Sequence, residues 1–126
     1  MNWLNVILVF AGGGVGATAR YWLSNAVYRF VEPHFPYGVL IVNILGCLLI
    51  GFLMTAFEGR FVISPSLRIF LTIGILGGFT TFSSFSYETV SLFKDGELFF
   101  GALNIFANVF LCLLGTYVGM IFGKFI

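Results

Sequence analysis

The chain has 126 residues, 60% of them hydrophobic and 9% charged, with six Lys and Arg against five Asp and Glu for a net charge of +1. Soluble domains carry about 25% charged residues, so this composition and a mean hydropathy of +1.06 exclude a soluble globular protein, and the lack of polar runs excludes a disordered one. At about 20 apolar residues per bilayer-spanning helix, four spans use the length, leaving no soluble catalytic or nucleotide-binding domain, and no cationic run points to nucleic acid or anionic lipid.

The first span is expected from about Trp3 to Leu23, with Gly12, Gly13, Gly14 and Gly16 in its body and Arg20, Tyr21 and Trp22 at its end. Basic and aromatic residues suit a membrane interface. No basic stretch precedes this segment, and it is too long for a signal-peptide core. From about Ser24 to Tyr37, Leu23, Val27, Phe30 and Val31 share one face, which predicts a short interfacial helix stopped by Pro33 and Pro36. The second span runs from about Gly38 to Phe57, and Ser64-Pro65-Ser66 is a cap for the next helix.

The third span, about Leu67 to Phe93, is too long, since its helical rise of about 1.5 Å per residue overshoots a hydrocarbon core of roughly 30 Å. Its middle is glycine-rich through Gly74, Gly77 and Gly78, then hydroxyl-rich through Thr80, Thr81, Ser83, Ser84 and Ser86. Two half-helices with an unwound joint near Gly77 to Thr81 are expected. Irregular backbone at membrane depth persists only where protein or water satisfies it. Lys94-Asp95-Gly96-Glu97 predicts a tight turn, and the fourth span runs from about Leu98 to Lys124. The expected fold is all-α and integral to the membrane: one domain over residues 1–126, four transmembrane helices, the third broken.

Four spans place Arg60, Arg68 and Lys124 on one side and Arg20, Arg29 and Lys94 on the other. Orientation follows the Lys and Arg asymmetry between sides, and here it is absent. Either the span edges are slightly displaced, or the protein inserts both ways and forms an antiparallel, dual-topology homodimer. The pairs Gly12/Gly16, Gly74/Gly78, Gly115/Gly119 and Gly119/Gly123 let helices approach closely. They suit an oligomer, or packing within one subunit.

Several polar groups have no place against lipid. Asn43, early in span two, needs a hydrogen-bonding partner or a wet path. In span four, Asn104, Asn108, Cys112 and Thr116 recur every four residues along one stripe. Such a stripe is either a route for a small anion or a seam gluing two helices. Phe82 and Phe85, one turn apart, are ordinary core aromatics or ring edges offered to an anion, because the edge of an aromatic ring is electropositive.

The ionisable groups narrow the function. Glu88 is the one carboxylate well inside a span, and it lies towards an end. His34 is in a connector and reads as an interfacial residue. No metal-ligand spacing appears, and Cys47 and Cys112 read as separate small core residues rather than as a disulfide or metal pair. No nucleophile, base and orienting group are evident, which disfavours an enzyme. The shortage of acids disfavours carboxylate-lined cation conduction, so neutral donors favour an anion.

Three blocks then stand out: Gly12-Gly-Gly-Val-Gly16-Ala17 with Arg20-Tyr21; Tyr37-Gly38-Val-Leu with Val42-Asn43 and Gly46; and Gly74 with Gly77-Gly78-Phe79-Thr80-Thr81-Phe82-Ser83-Ser84-Phe85-Ser86 and Glu88. In order and spacing they resemble the Fluc (CrcB) family of fluoride channels over the whole chain. The third block is the specific one. The resemblance implies a dual-topology homodimer with two antiparallel pores that exports fluoride passively across the prokaryotic plasma (inner) membrane. It implies that Phe82 and Phe85 present ring edges to the ion and that Asn43 donates to it. It further implies that Asn104, Asn108 and Cys112 line the pore, and that main-chain carbonyls of Gly77 and Thr80 hold a structural sodium ion. Arg20 matches an arginine near a vestibule or the dimer contact, and Glu88 a carboxylate near the pore. Val39 and Ser84 stand where relatives often carry Thr; the first loses a hydroxyl, the second keeps one. The rivals are a proton-coupled exporter of the small multidrug resistance type, which requires an acid in span one that this chain lacks, and a non-transporting membrane scaffold. A fluoride/proton exchanger on the same scaffold would differ from a channel by sensitivity to a pH gradient.

Overall fold

The computed structural model describes residues 2–59 and 62–126. Within these lie α1 (Trp3–Val27), α2 (Tyr37–Glu58), α3 (Pro65–Ile69), a π-wound stretch (Phe70–Leu76), α4 (Gly77–Phe79), α5 (Phe82–Lys94) and α6 (Leu98–Lys124). The segments from α3 through α5 form one interrupted span, Pro65–Lys94, so four spans are long and apolar enough to cross a membrane. The chain is an all-helical, multi-pass membrane protein. Large apolar side chains such as Phe10, Trp22, Phe106 and Leu113 are exposed, which suits hydrocarbon as their solvent.

Local chemistry sets the boundaries. The Ser64 side chain accepts from the Leu67 N–H at 3.2 Å, and Pro65 occupies the first helical position, as the Ser-Pro-Ser signal predicted. Gly96 takes φ +81° in the turn after α5, a conformation that favours glycine. The α1–α2 connector differs from expectation. α1 continues past Leu23 to Val27 and closes in turns over residues 28–30, with no separate interfacial helix there.

Two close seams assemble the bundle. Gly12 meets the backbone of Phe70 and Gly74, Gly16 meets Ile75 and Phe79, and Gly78 meets Gly13. Across the other seam, Gly115 meets Ile44, Gly119 meets Leu48, and Gly123 meets Phe52. Residue numbers rise together in both seams. Spans one and three therefore run parallel, as do spans two and four, as a chain alternating across a bilayer requires. Each glycine pair taken from the sequence as a possible oligomer contact lies against another helix of its own chain. Backbone approach through small residues drives helix association in lipid, and here that capacity is used within the subunit.

Arg20 also moves. With α1 reaching Val27, Arg20 lies inside the helix, where its Nε donates to the Gly78 carbonyl at 3.1 Å. It sits at the depth of the interruption in span three and not at the span end. On that side Arg29 and Lys94 remain as flanking cations, while Arg60 on the other lies outside the described residues.

Candidate functional site

The interruption is narrower than the expected Gly77-to-Thr81 joint. Gly77 is still helical, at φ −63° and ψ −37°. Thr80 (φ −87°, ψ 159°) and Thr81 (φ −151°, ψ 119°) are extended. Two glycines weaken the helix just before two β-branched residues, whose stiff side chains suit extended backbone. The Thr80 N–H closes α4 on the Leu76 carbonyl at 3.0 Å. The Thr81 hydroxyl opens α5 by accepting from the Ser84 N–H at 3.1 Å. Phe82 thus begins α5 and Phe85 lies one turn on, their ring centroids 5.2 Å apart. Phe85 is 7% exposed and Phe82 77%.

Asn43 holds the joint from α2. Its Oδ1 accepts from the Thr81 N–H at 2.8 Å, and its Nδ2 donates to the Thr81 carbonyl at 3.0 Å. One amide thereby pairs both main-chain groups of a residue that no helix satisfies. Gly46 brings α2 close enough, since a Cβ there would overlap the Thr80 side chain.

A directed amide chain continues from Asn43. Its Nδ2 donates also to Asn108 Oδ1 at 3.3 Å, Asn108 Nδ2 donates to Asn104 Oδ1 at 3.0 Å, and Asn104 Nδ2 donates to Thr89 Oγ1 at 2.9 Å. The Thr89 hydroxyl ends the chain on the Phe85 carbonyl at 2.7 Å. The run begins and ends on span three, and α2 and α6 supply its middle. Buried amides are satisfied in this way, and linked hydrogen bonds polarise one another.

An open cleft of about 480 Å³ faces this joint. Asn43, Phe82, Phe85, Asn108 and Cys112 line it together with Gly77 and Thr80. No carboxylate, lysine, arginine or histidine does. Three predicted residues lie off the cleft. Asn104 is 1% exposed behind Asn108; Arg20 holds Gly78 from the α1 side. Glu88 is half-buried on α5, and its Oε1 has no hydrogen-bond partner among the described residues. Thr116, the last member of the span-four stripe, lies against Gly51. The stripe therefore forms a seam with α2, and its middle two members also face the cleft. Val39 is buried in the first turn of α2.

The carbonyls at the joint fit a cation site. In a continuous helix the Thr81 N–H would donate to Gly77 and the Ser84 N–H to Thr80. These donors go instead to Asn43 and to the Thr81 hydroxyl. Both carbonyls lose their helical donors, both residues line the cleft, and the carbonyl end of a helix attracts cations. Two oxygens are fewer than a hard cation takes, so a second set of ligands is needed.

Sequence reading missed the pairing of Cys47 with Cys112. Both thiols are free, and both residues line the cleft on facing helices. The signal lies in the numbering. Asn43 bonds Asn108 and Gly51 meets Thr116, each pair 65 positions apart, and Cys47 and Cys112 share that offset.

Four spans, an interrupted third helix and a cleft without carboxylates mark a multi-pass membrane protein with an uncharged cleft at the depth of the interruption. A sequence model described as "CrcB-like protein, Camphor Resistance (CrcB)" matches residues 7–120. A protein of Geobacter sulfurreducens called "Fluoride-specific ion channel FluC" is 50% identical over 124 residues, covering 98% of each chain. Relatives of the same name are 47% identical in Dehalococcoides mccartyi, over 94% of this chain and 92% of that one, and 42% identical in Magnetococcus marinus, over 98% and 100%. The chain belongs to the CrcB family.

Proposed function

We propose that the chain is a fluoride-selective channel that lets fluoride leave the cytoplasm passively across the prokaryotic plasma (inner) membrane. The observation that carries this reading is the cleft itself. It gathers Asn43, Phe82, Phe85, Asn108 and Cys112, with no carboxylate, lysine, arginine or histidine among its lining residues, in a chain whose relatives are named fluoride-specific ion channels.

Fluoride is small and strongly hydrated, so a pore has to replace its water with donors. The tilted rings of Phe82 and Phe85 offer polarised C–H edges. The Asn43 hydrogens are all engaged, but unequally. The bond to Asn108 is the longest, at 3.3 Å, so it is given up at least cost: Asn108 shifts aside, and a passing anion takes its place on that hydrogen while the grip on Thr81 stays intact. Asn108 would contribute its own amide in the same way, with Asn104 behind it. An aromatic lining without carboxylates disfavours hydrated cations, and a narrow aromatic passage disfavours larger halides.

One chain supplies one wall. The cleft is open, and Phe82 stands on its exposed side, which a second copy would close. An antiparallel, dual-topology homodimer would build two such pores. The Gly77 and Thr80 carbonyls from both copies would then hold a sodium ion on the dimer axis, which supplies positive potential and braces the interface.

The test is efflux from liposomes loaded with potassium fluoride, with valinomycin added and a fluoride electrode as readout, beside a matched chloride experiment. Fast fluoride efflux with negligible chloride efflux is expected, and Phe82→Ile with Phe85→Ile should suppress it. No efflux from well-folded protein overturns the channel reading; undiminished efflux from the double variant overturns the ring-edge role.

A further inference from the structure

The reading above uses Cys112 only as a lining residue and leaves Cys47 without a role, yet both lie on the facing helices α2 and α6. Three residues at four-residue spacing on α2, Asn43, Cys47 and Gly51, face three at the same spacing on α6, Asn108, Cys112 and Thr116. The outer pairs fix the register: Asn43 and Asn108 share a hydrogen bond, and at Gly51 a Cβ would overlap the Thr116 carbonyl. The helices run parallel, so the middle pair is held between them. Both thiols also line the open cleft, which gives a solute a route to them.

We propose that Cys47 and Cys112 form a two-coordinate binding site for a soft divalent d10 cation, of which mercury(II) is the probe. Thiolate ligands select soft metals. The reaction is Hg2+ with two thiols, giving one S–Hg–S bridge and releasing two protons to water. Charge supports a divalent ion over a monovalent one. Two thiolates neutralise it, so the bridged product adds no net charge inside the bilayer, where an unpaired charge is costly. No third ligand is needed, and among the described residues no group of three or more His, Cys, Asp or Glu is placed to hold a metal.

The proposal does not depend on what the cleft conducts, and its test reads binding directly. The purified chain, in detergent at neutral pH with a monothiol competitor, is titrated with mercuric acetate. The ultraviolet thiolate-to-mercury absorption is followed, and free thiols are counted with a colorimetric reagent. One mercury per chain, with both thiols lost together, is expected. Cys47→Ser and Cys112→Ser should each weaken binding about 100-fold, because the second thiol acts at high effective concentration in the intact pair. Two mercury ions per chain, each capping one thiol, would overturn the proposal, as would wild-type affinity in either single variant. The wild-type stoichiometry needs no variant, so a poorly folding substitution leaves the test standing.

Discussion

Replacing Asn43 by alanine deletes three hydrogen bonds at once, and two of them belong to the Thr81 backbone. A typical intramolecular hydrogen bond contributes about 1 kcal/mol net, and a fully buried group left unpaired costs about 1–3 kcal/mol. Thr81 is half-buried, so water reaches its freed N–H and carbonyl and the lower figure applies. The two short bonds then amount to about 2 kcal/mol. At about 1.4 kcal/mol per tenfold, the Thr81 amide should exchange with solvent about 30-fold faster in Asn43→Ala. Asn108→Ala removes its own bonds to Asn104 but, of the three made by Asn43, only the 3.3 Å one, and should change that rate by no more than about threefold, about 0.7 kcal/mol. Hydrogen–deuterium exchange on the purified protein reads both, with amides in the body of α6 as the internal reference. Unchanged Thr81 exchange in Asn43→Ala would refute the assignment of Asn43 as the clamp on the joint. Equal effects from the two variants would refute the division of labour within the amide.

The glycine seams make a paired prediction. A Cβ at Gly119 would overlap the Leu48 carbonyl, whereas at Gly77 the nearest atom is 3.8 Å away. Gly119→Ala should lower the thermal midpoint in detergent by an amount matching the about 1–3 kcal/mol typical of overpacking, and Gly77→Ala should leave it near wild type. Beyond the end of α1, burial pushes the Tyr28 phenol above its ordinary value of 10.0; the Gly38 N–H opposes this and the charge of Glu88 adds to it. A raised phenol is a neutral form favoured by the fold, so its stabilisation is present below pH 10.0 and is lost as pH rises past the ordinary value through the raised one. A melting series across that window should fall more steeply for wild type than for Tyr28→Phe, which keeps the ring and cannot ionise.

The spans were legible because hydropathy over about 20 residues is a strong signal. The interruption was legible because glycine next to β-branched hydroxyl residues contradicts a continuous lipid-facing helix. Its width was not. Gly77 and Gly78 are poor helix formers, yet Gly77 is helical, and Gly78 is held by Arg20 through its carbonyl and by Gly13 through close packing. Tertiary contacts from α1 override propensity there, and no local pattern in span three announces them. The displaced end of α1 has a similar origin. Arg20 reads as an interfacial cation from sequence because nothing shows that its guanidinium has a partner on another span.

Register between helices is the harder quantity. The stripe Asn104, Asn108, Cys112 and Thr116 stood out along one helix, but its meaning depended on what faced it. A second stripe, Asn43, Cys47 and Gly51, has the same four-residue period on α2, and matching the two at an offset of 65 places amide on amide, thiol on thiol and glycine on backbone. Each match is chemically sensible alone, and the three together leave little freedom to slide one helix along the other. A slip of one turn would set Asn43 against Cys112 and Cys47 against Thr116, leaving the buried Asn108 oxygen short of its donor. The same seam that fixes the packing therefore also aims the Asn43 amide at Thr81. In this chain, the polar stripe acts on the joint through helix register as well as through the groups it presents to the cleft.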